Sequence, residues 1–261
     1  MLKRYTILLS TFVLLLGFGL KAHATGIDLD PGTTLFSLIA NQGYIDEGDK
    51  RFSDFTFALE SSDLTKTSPD DASGIEVAGV TFGGNHGLAF FPSSFDNLFF
   101  AGEGAQLKIV IGYKVSVLDD PNLAISDVHL IMGSLTAGNA SIAVTEKVYQ
   151  DAARTILLGE AEVTNPPEFF DADIVDLVPA VSMAFVTKEI LIDGGSGCDI
   201  HSLTSDSGFG CHSFGKIAFI KQLVSQERIP QQVPEPSTLL LLGTGLAGLL
   251  SRIRGRGRER A

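Results

Sequence analysis

Cys198, His201, Cys211 and His212 crowd into the stretch GGSGCDIHSLTSDSGFGCHSFG, residues 194–215. Thiolates and imidazoles together are the side chains that hold zinc. Two cysteines flanking a Gly/Ser-rich loop outside the cytoplasm instead form a disulfide. Cys211 and His212 are adjacent, and the spacing matches no usual zinc pattern, so compartment and spacing favour a Cys198–Cys211 disulfide over a metal site. Such a bridge would contribute about 3 kcal/mol through the entropy of the unfolded chain. Hard oxygen ligands also cluster, in Asp28-x-Asp30 and in Asp46-Glu47-x-Asp49. Neither continues into a DxDxDG loop with a distal Glu, so solvated turns are the first reading and calcium stays open as a ligand.

Motifs for covalent or hydrolytic chemistry are missing. The chain has no GxSxG elbow, no HExxH helix and no GxxxxGK[ST] phosphate loop. Gly194-Gly195-Ser196-Gly197 has the composition of a flexible loop rather than of a nucleophile turn. His86 follows Gly83-Gly84-Asn85 in an expected turn, His129 sits within a strand pattern, and Asn139-Ala140-Ser141 is a glycosylation sequon of the kind that occurs by chance. Paired carboxylates for glycoside hydrolysis need not be close in sequence, so that chemistry is left to the fold. No catalytic residue, metal or cofactor is assigned.

The elements that must position these residues are strands. One short helix is expected in TTLFSLIANQG, capped by Thr33 or Thr34, with Leu35, Leu38 and Ile39 on one face and Gly43 ending it. From Arg51 onward the period is two. Phe55, Phe57 and Leu59 alternate with Asp54, Thr56 and Ala58, and Leu107, Ile109, Ile111, Tyr113, Val115 and Val117 alternate without a break. IEVAGVTF, GLAFF, LAISDVHLIM, ASIAVTEKVY, TILLGEAEV, VSMAFVTKEILI and FGKIAFIKQLV add further strands, for roughly nine in all, and Asp119-Asp120-Pro121-Asn122 is an expected turn. With no βαβ alternation, the fold class is all-β, an antiparallel β-sandwich or jelly roll. The chain has no Trp, which is unusual for a sandwich that stacks sugars on indole faces.

Outside the strands the ends have their own character. Lys3 and Arg4, the apolar run Ile7 to Leu20 and the small residues Ala22 and Ala24 form an N-terminal signal peptide over residues 1–24, cut after Ala24. The β-domain is expected over residues 25–224 and a polar, proline-containing linker over 225–232. The segment 233–261 then reads VPEPSTLLLLGTGLAGLLSRIRGRGRERA. Thr238 to Leu250 is an apolar transmembrane helix of about 20 Å, short of the roughly 30 Å hydrocarbon core. Arg252, Arg254, Arg256, Arg258 and Arg260 follow it and belong on the cytoplasmic side.

The 261 residues carry 19 basic and 31 acidic side chains, a net charge of -12. The signal peptide takes three of the basic groups and the tail takes five, with Glu235 and Glu259. Residues 25–232 are left with 11 basic and 29 acidic side chains, a net of -18. Such a body repels phosphate backbones and anionic lipid, which disfavours nucleic acid as a partner.

Pro234, Glu235 and Pro236, followed by an apolar helix and an arginine cluster, resemble the PEP-CTERM sorting signal of exported bacterial proteins. The resemblance covers about 29 residues. It implies that an exosortase, a membrane-embedded cysteine transpeptidase, recognises Pro234-Glu235-Pro236 as a processing site, after signal peptidase and the export machinery have acted at the other end. GYIDEGDKRFSDFTF and GAQLKIVIGYKVSVLDDPNLAISDVHLIM further resemble the uncharacterised β-rich domains joined to this signal. The expectation is a non-enzymatic protein of the surface or extracellular matrix of a Gram-negative bacterium, held first through an inner-membrane C-terminal anchor. Its role would be structural or adhesive, in association with exopolysaccharide or biofilm. A glycan- or calcium-binding module is the alternative, and an unrecognised extracellular hydrolase stands behind it.

Overall fold

The computed structural model describes residues 33–94, 98–118, 120–164, 170–196 and 213–229. The chain divides into two units, Met1–Glu227 and Arg228–Ala261, and the account below concerns the first.

Helix α1, Leu35–Ala40, opens the described chain. Thr34 caps it, its Oγ1 accepting from the Ser37 amide at 3.2 Å, and Leu35 and Leu38 are buried. Its end differs from expectation. Gln42 takes the left-handed conformation at φ 49°, while the Gly43 amide donates to Leu38 O and the Gln42 amide to Ile39 O. This is a Schellman closure with glutamine where glycine is usual.

Thirteen strands follow among the described residues, all paired antiparallel where the register is defined. They are β1 Ile45–Glu47, β2 Lys50–Ser61, β3 Thr67–Ser68, β4 Ile75–Phe82, β5 Asn85–Pro92, β6 Phe99–Gly102, β7 Gln106–Val117, β8 Leu123–Ala137, β9 Ser141–Tyr149, β10 Leu157–Thr164, β11 Phe170–Val181, β12 Met183–Asp193 and β13 Phe214–Arg228. One sheet has the order β1-β2-β7-β12-β9-β10, and the other runs β11-β8-β13-β5-β4, with β6 also paired to β13 and β3 paired to β6. The inner faces of both sheets supply one continuous apolar core. The fold is an antiparallel β-sandwich.

Period-two alternation places the core as the sequence predicts. In β7, Leu107, Ile109, Ile111, Tyr113 and Val115 are all buried. β2 departs once: Asp54, at φ 56°, lies in a bulge between Ser53 and Thr56, so both Phe52 and Phe55 point inward. The Tyr113 ring then lies 6.3 Å from Phe52, 5.9 Å from Phe55 and 6.0 Å from Phe90 of the opposite sheet. Aromatic packing thus ties the two sheets together at this point.

Four strands escaped the sequence reading: β1, β3, β6 and β11. In β11 the carboxylates explain why. Asp171 and Asp173 break the hydrophobic pattern because they face the edge of β10, where Asp173 Oδ2 accepts from the Glu162 amide at 2.9 Å and Asp171 Oδ2 from the Thr164 amide at 3.1 Å. The two strands also approach closely at Gly159, where a Cβ would sit 2.7 Å from Val175 Cγ2. β13 also runs to Arg228, four residues into the segment expected as linker. Its polar end has partners, since Ser225 Oγ meets His129 Nε2 and Gln226 Nε2 donates to Asp49.

Phe90 is fully buried and spans the gap between the sheets. Phe90→Ala should lower unfolding stability by about 3–5 kcal/mol, read as a reduced urea midpoint with an unchanged slope.

Candidate functional site

Among the described residues an open cleft of about 450 Å³ lies at one end of the sandwich. Hairpin ends and strand termini build it: Ser62 follows β2, Gln106 begins β7, Asn139 and Ser141 lie at the β8–β9 turn, and Asp193 ends β12 beside Ser196. Asp193 accepts from Gln106 Nε2 at 2.9 Å and from the Gly195 amide at 2.8 Å. Gly195 reaches that position at φ 71°, and its carbonyl accepts from the Gly104 amide at 2.7 Å. Ser62 Oγ accepts from the Gln106 amide at 2.8 Å. Asn139 donates to Ser196 O at 3.0 Å and accepts from Ser213 Oγ at 3.1 Å. Both ends of the sequon amide are therefore engaged, and a glycan on Asn139 would cost those bonds.

Among the described residues the lining is hydroxyl, amide and glycine, with Asp193 the one carboxylate and no aromatic side chain. Such a surface offers hydrogen bonds to a neutral, hydroxylated molecule.

The acidic run Asp46-Glu47-x-Asp49 is folded differently from the solvated turn expected for it. Asp46 and Glu47 are buried in β1. Asp46 receives Arg51 in a two-pronged pair at 2.7 and 2.8 Å, and the Arg51 guanidinium lies 4.0 Å above the Tyr44 ring. Glu47 Oε1 accepts from Thr81 Oγ1 at 2.5 Å, and Thr81 Oγ1 lies 2.9 Å from His86 Nδ1. His86 belongs to β5 rather than to the preceding turn. Gly48, at φ 60°, turns the chain between β1 and β2 where any Cβ would strike the His86 ring. Asp49 pairs with the buried Lys50 at 2.8 Å. Three carboxylates thus serve three separate partners, and no group of three or more His, Cys, Asp or Glu able to hold a metal ion occurs among the described residues.

A further polar constellation lies inside the core, and the sequence reading missed it. Glu146 of β9 and Lys188 of β12 are direct cross-strand partners, both fully buried, and Lys188 Nζ donates to Glu146 Oε2. Among the described residues, Glu146 Oε1 and the Tyr113 hydroxyl have no hydrogen-bond partner. A signal was present in each strand. Glu146 interrupts the inward series Ile142, Val144, Val148, and Lys188 interrupts Ala184, Val186, Ile190, Ile192.

Several sites read from sequence lie outside the described residues: Ala22 and Ala24, Asp28 and Asp30, Cys198, His201, Cys211 and His212, Pro234 to Pro236, Thr238 to Leu250 and the five tail arginines. Among the described residues no helix is long and apolar enough to cross a membrane.

The fold is that of an antiparallel β-sandwich domain. Residues 232–255 match the PEP-CTERM protein-sorting motif, so the chain carries the mark of an exosortase substrate, exported and sorted to the cell surface. No curated protein matches the chain in sequence. Solved structures similar to it include TmCBM61 in complex with beta-1,4-galactotriose, at TM-score 0.29 and 9% identity over 66% of this chain and 88% of that one. Another is a carbohydrate-binding module of the β-sandwich superfamily with promiscuous specificity, at 0.30 and 10% over 81% and 64%. A third is tailspike protein 4 of bacteriophage CBA120, at 0.26 and 10% over 67% and 19%. At these TM-scores the fold assignment rests on the sheets of this chain rather than on its neighbours.

Burial disfavours the ionised Asp49, yet Lys50 and Gln226 outweigh it and hold its carboxyl below the ordinary value of 3.8. A carboxyl lowered in the folded state adds stability that is complete above its unfolded value and is lost as pH falls through the folded one. Asp49→Asn should therefore destabilise the domain at neutral pH by about 2 kcal/mol, because Lys50 loses its charged partner. Melting temperatures measured from neutral pH down to about pH 2 should start to converge for variant and wild type as pH falls below the unfolded value of about 3.9, and meet only below the lowered folded value.

Proposed function

We propose that this is a non-enzymatic protein with a structural or adhesive role in the extracellular polysaccharide matrix or biofilm of a Gram-negative bacterium. The observation that carries the reading is the PEP-CTERM match joined to a strongly acidic β-sandwich. The described part of the cleft is compatible with it: Asp193 already accepts from Gln106 and Gly195, and the other described lining residues are neutral. In this role signal peptidase acts after Ala24 and exosortase acts at Pro234-Glu235-Pro236, while the acidic surface keeps the released body soluble and away from anionic lipid. Sequencing of the mature termini from culture fluid and membrane fractions should find new ends near Ala24 and Pro236. An intact chain soluble in the cytoplasm would overturn the proposal.

A second reading is favoured by the cleft itself. Hydroxyls and amides fixed by short loops are suited to a neutral glycan, with Gln106 and Asp193 orienting the sugar hydroxyls. Calorimetry against the producer's own polysaccharide separates this binding role from a purely structural one. Gln106→Ala should weaken binding about tenfold, the equivalent of roughly 1.4 kcal/mol and of one lost hydrogen bond. Absence of heat from the unmodified domain would sink this second reading and leave the first standing.

A further inference from the structure

We propose that Lys188 and Glu146 become joined through an intramolecular amide bond, formed by the protein itself once the sandwich has closed around them. The geometry carries the idea. The two residues face each other directly across β9 and β12, their side chains are fully buried, and Lys188 Nζ contacts Glu146 Oε2. Their surroundings are Ile111, opposite Lys188 on β7, and the buried valines and isoleucines of β9 and β12.

As ions the pair is poorly served. The carboxylate oxygen Oε1 has no hydrogen-bond partner among the described residues, and in an apolar core each unmet bond to a charge is costly. Burial therefore drives the Glu146 carboxyl up and the Lys188 amine down, with the attraction between them opposing but not cancelling it. The neutral forms that burial favours are a free amine and a carboxylic acid. These are a nucleophile and an electrophile held in contact.

The chemistry balances without an added reagent. The Nζ lone pair attacks Cδ of protonated Glu146, forming the N–C bond and a tetrahedral intermediate. A proton then passes from nitrogen to the departing hydroxyl, the C–O bond breaks, and one water leaves. Enforced contact supplies what dilute amines and acids lack, since well-oriented intramolecular reactions reach effective concentrations of about 10⁵–10⁸ M. The product is a neutral amide, so the core exchanges two charges for one polar group and loses the water that would reverse the reaction.

Tyr113 lies within electrostatic reach of Glu146. Its hydroxyl is buried without a hydrogen-bond partner among the described residues and interacts electrostatically with Glu146. Burial first, and the Glu146 charge second, push that hydroxyl well above the ordinary phenol value, so it stays a proton donor. A neutral hydroxyl held there moderates the negative charge that develops on the Glu146 oxygen in the tetrahedral intermediate, acting through the field of the site rather than through a hydrogen bond.

The test is mass spectrometry on the mature protein, fully reduced and digested. The expected result is a branched peptide containing Lys188 and Glu146, lighter by one water than the sum of its two linear parts. Recovery of both segments only as unmodified linear peptides would overturn the proposal. A Lys188→Met, Glu146→Met double variant replaces the pair by apolar groups of similar length, which cores accept at little cost, and should fold while giving only linear peptides. Tyr113→Phe should retain the fold by circular dichroism and form the branched product at least tenfold more slowly after refolding. An unchanged rate would remove Tyr113 from the reaction.

Discussion

Each sheet of this protein has an apolar inner face that the other sheet covers. That mutual covering is concentrated where the Tyr113 ring meets Phe52, Phe55 and Phe90, because those contacts bring β2 and β7 of one sheet against β5 of the other. Aromatic side chains bury large areas for little rotamer entropy, so a few rings set the spacing at which the aliphatic residues around them interlock. The same enclosure keeps water from the Tyr113 hydroxyl and from Glu146 and Lys188. Polar groups held in that layer are defined by apolar walls on every side, and their chemistry follows from those walls.

The open edges of the sheets are treated in a different way. β10 and β11 end their respective sheets, and a strand edge left bare offers its amides to any other chain. Here the carboxylates of Asp171 and Asp173 accept from two β10 amides, so side chains of one sheet complete the edge of the other. Acidic residues therefore do more than set the surface charge. Asp46, Glu47 and Asp49 likewise fix the β1–β2 hairpin to Arg51, Thr81 and Lys50.

Fold class was legible because period-two alternation is a local property and the core of a sandwich obeys it. β4 matches its sequence-derived segment residue for residue, and the inward series of β7 holds without exception as far as Val115. β11 was not legible, because its aspartates are selected by the amides of a strand that only folding brings near. The cleft was illegible for the same reason, its lining being drawn from four separate places in the chain. The acidic run near residue 46 looked solvent-exposed because partners such as Thr81 and Gln226 lie far along the sequence. Glu146 and Lys188 were readable as interruptions of two apolar series, but that they face each other depends on the β9–β12 register.

The placement of β13 bears on how the protein is made. The last described strand enters between β8 and β5, in the interior of its sheet, rather than being added at a margin. Neither β8 nor β5 can complete its hydrogen bonding until residues 214–228 are in place. The sheet therefore closes only with a strand that ends at Arg228, four positions before the sorting motif begins at residue 232.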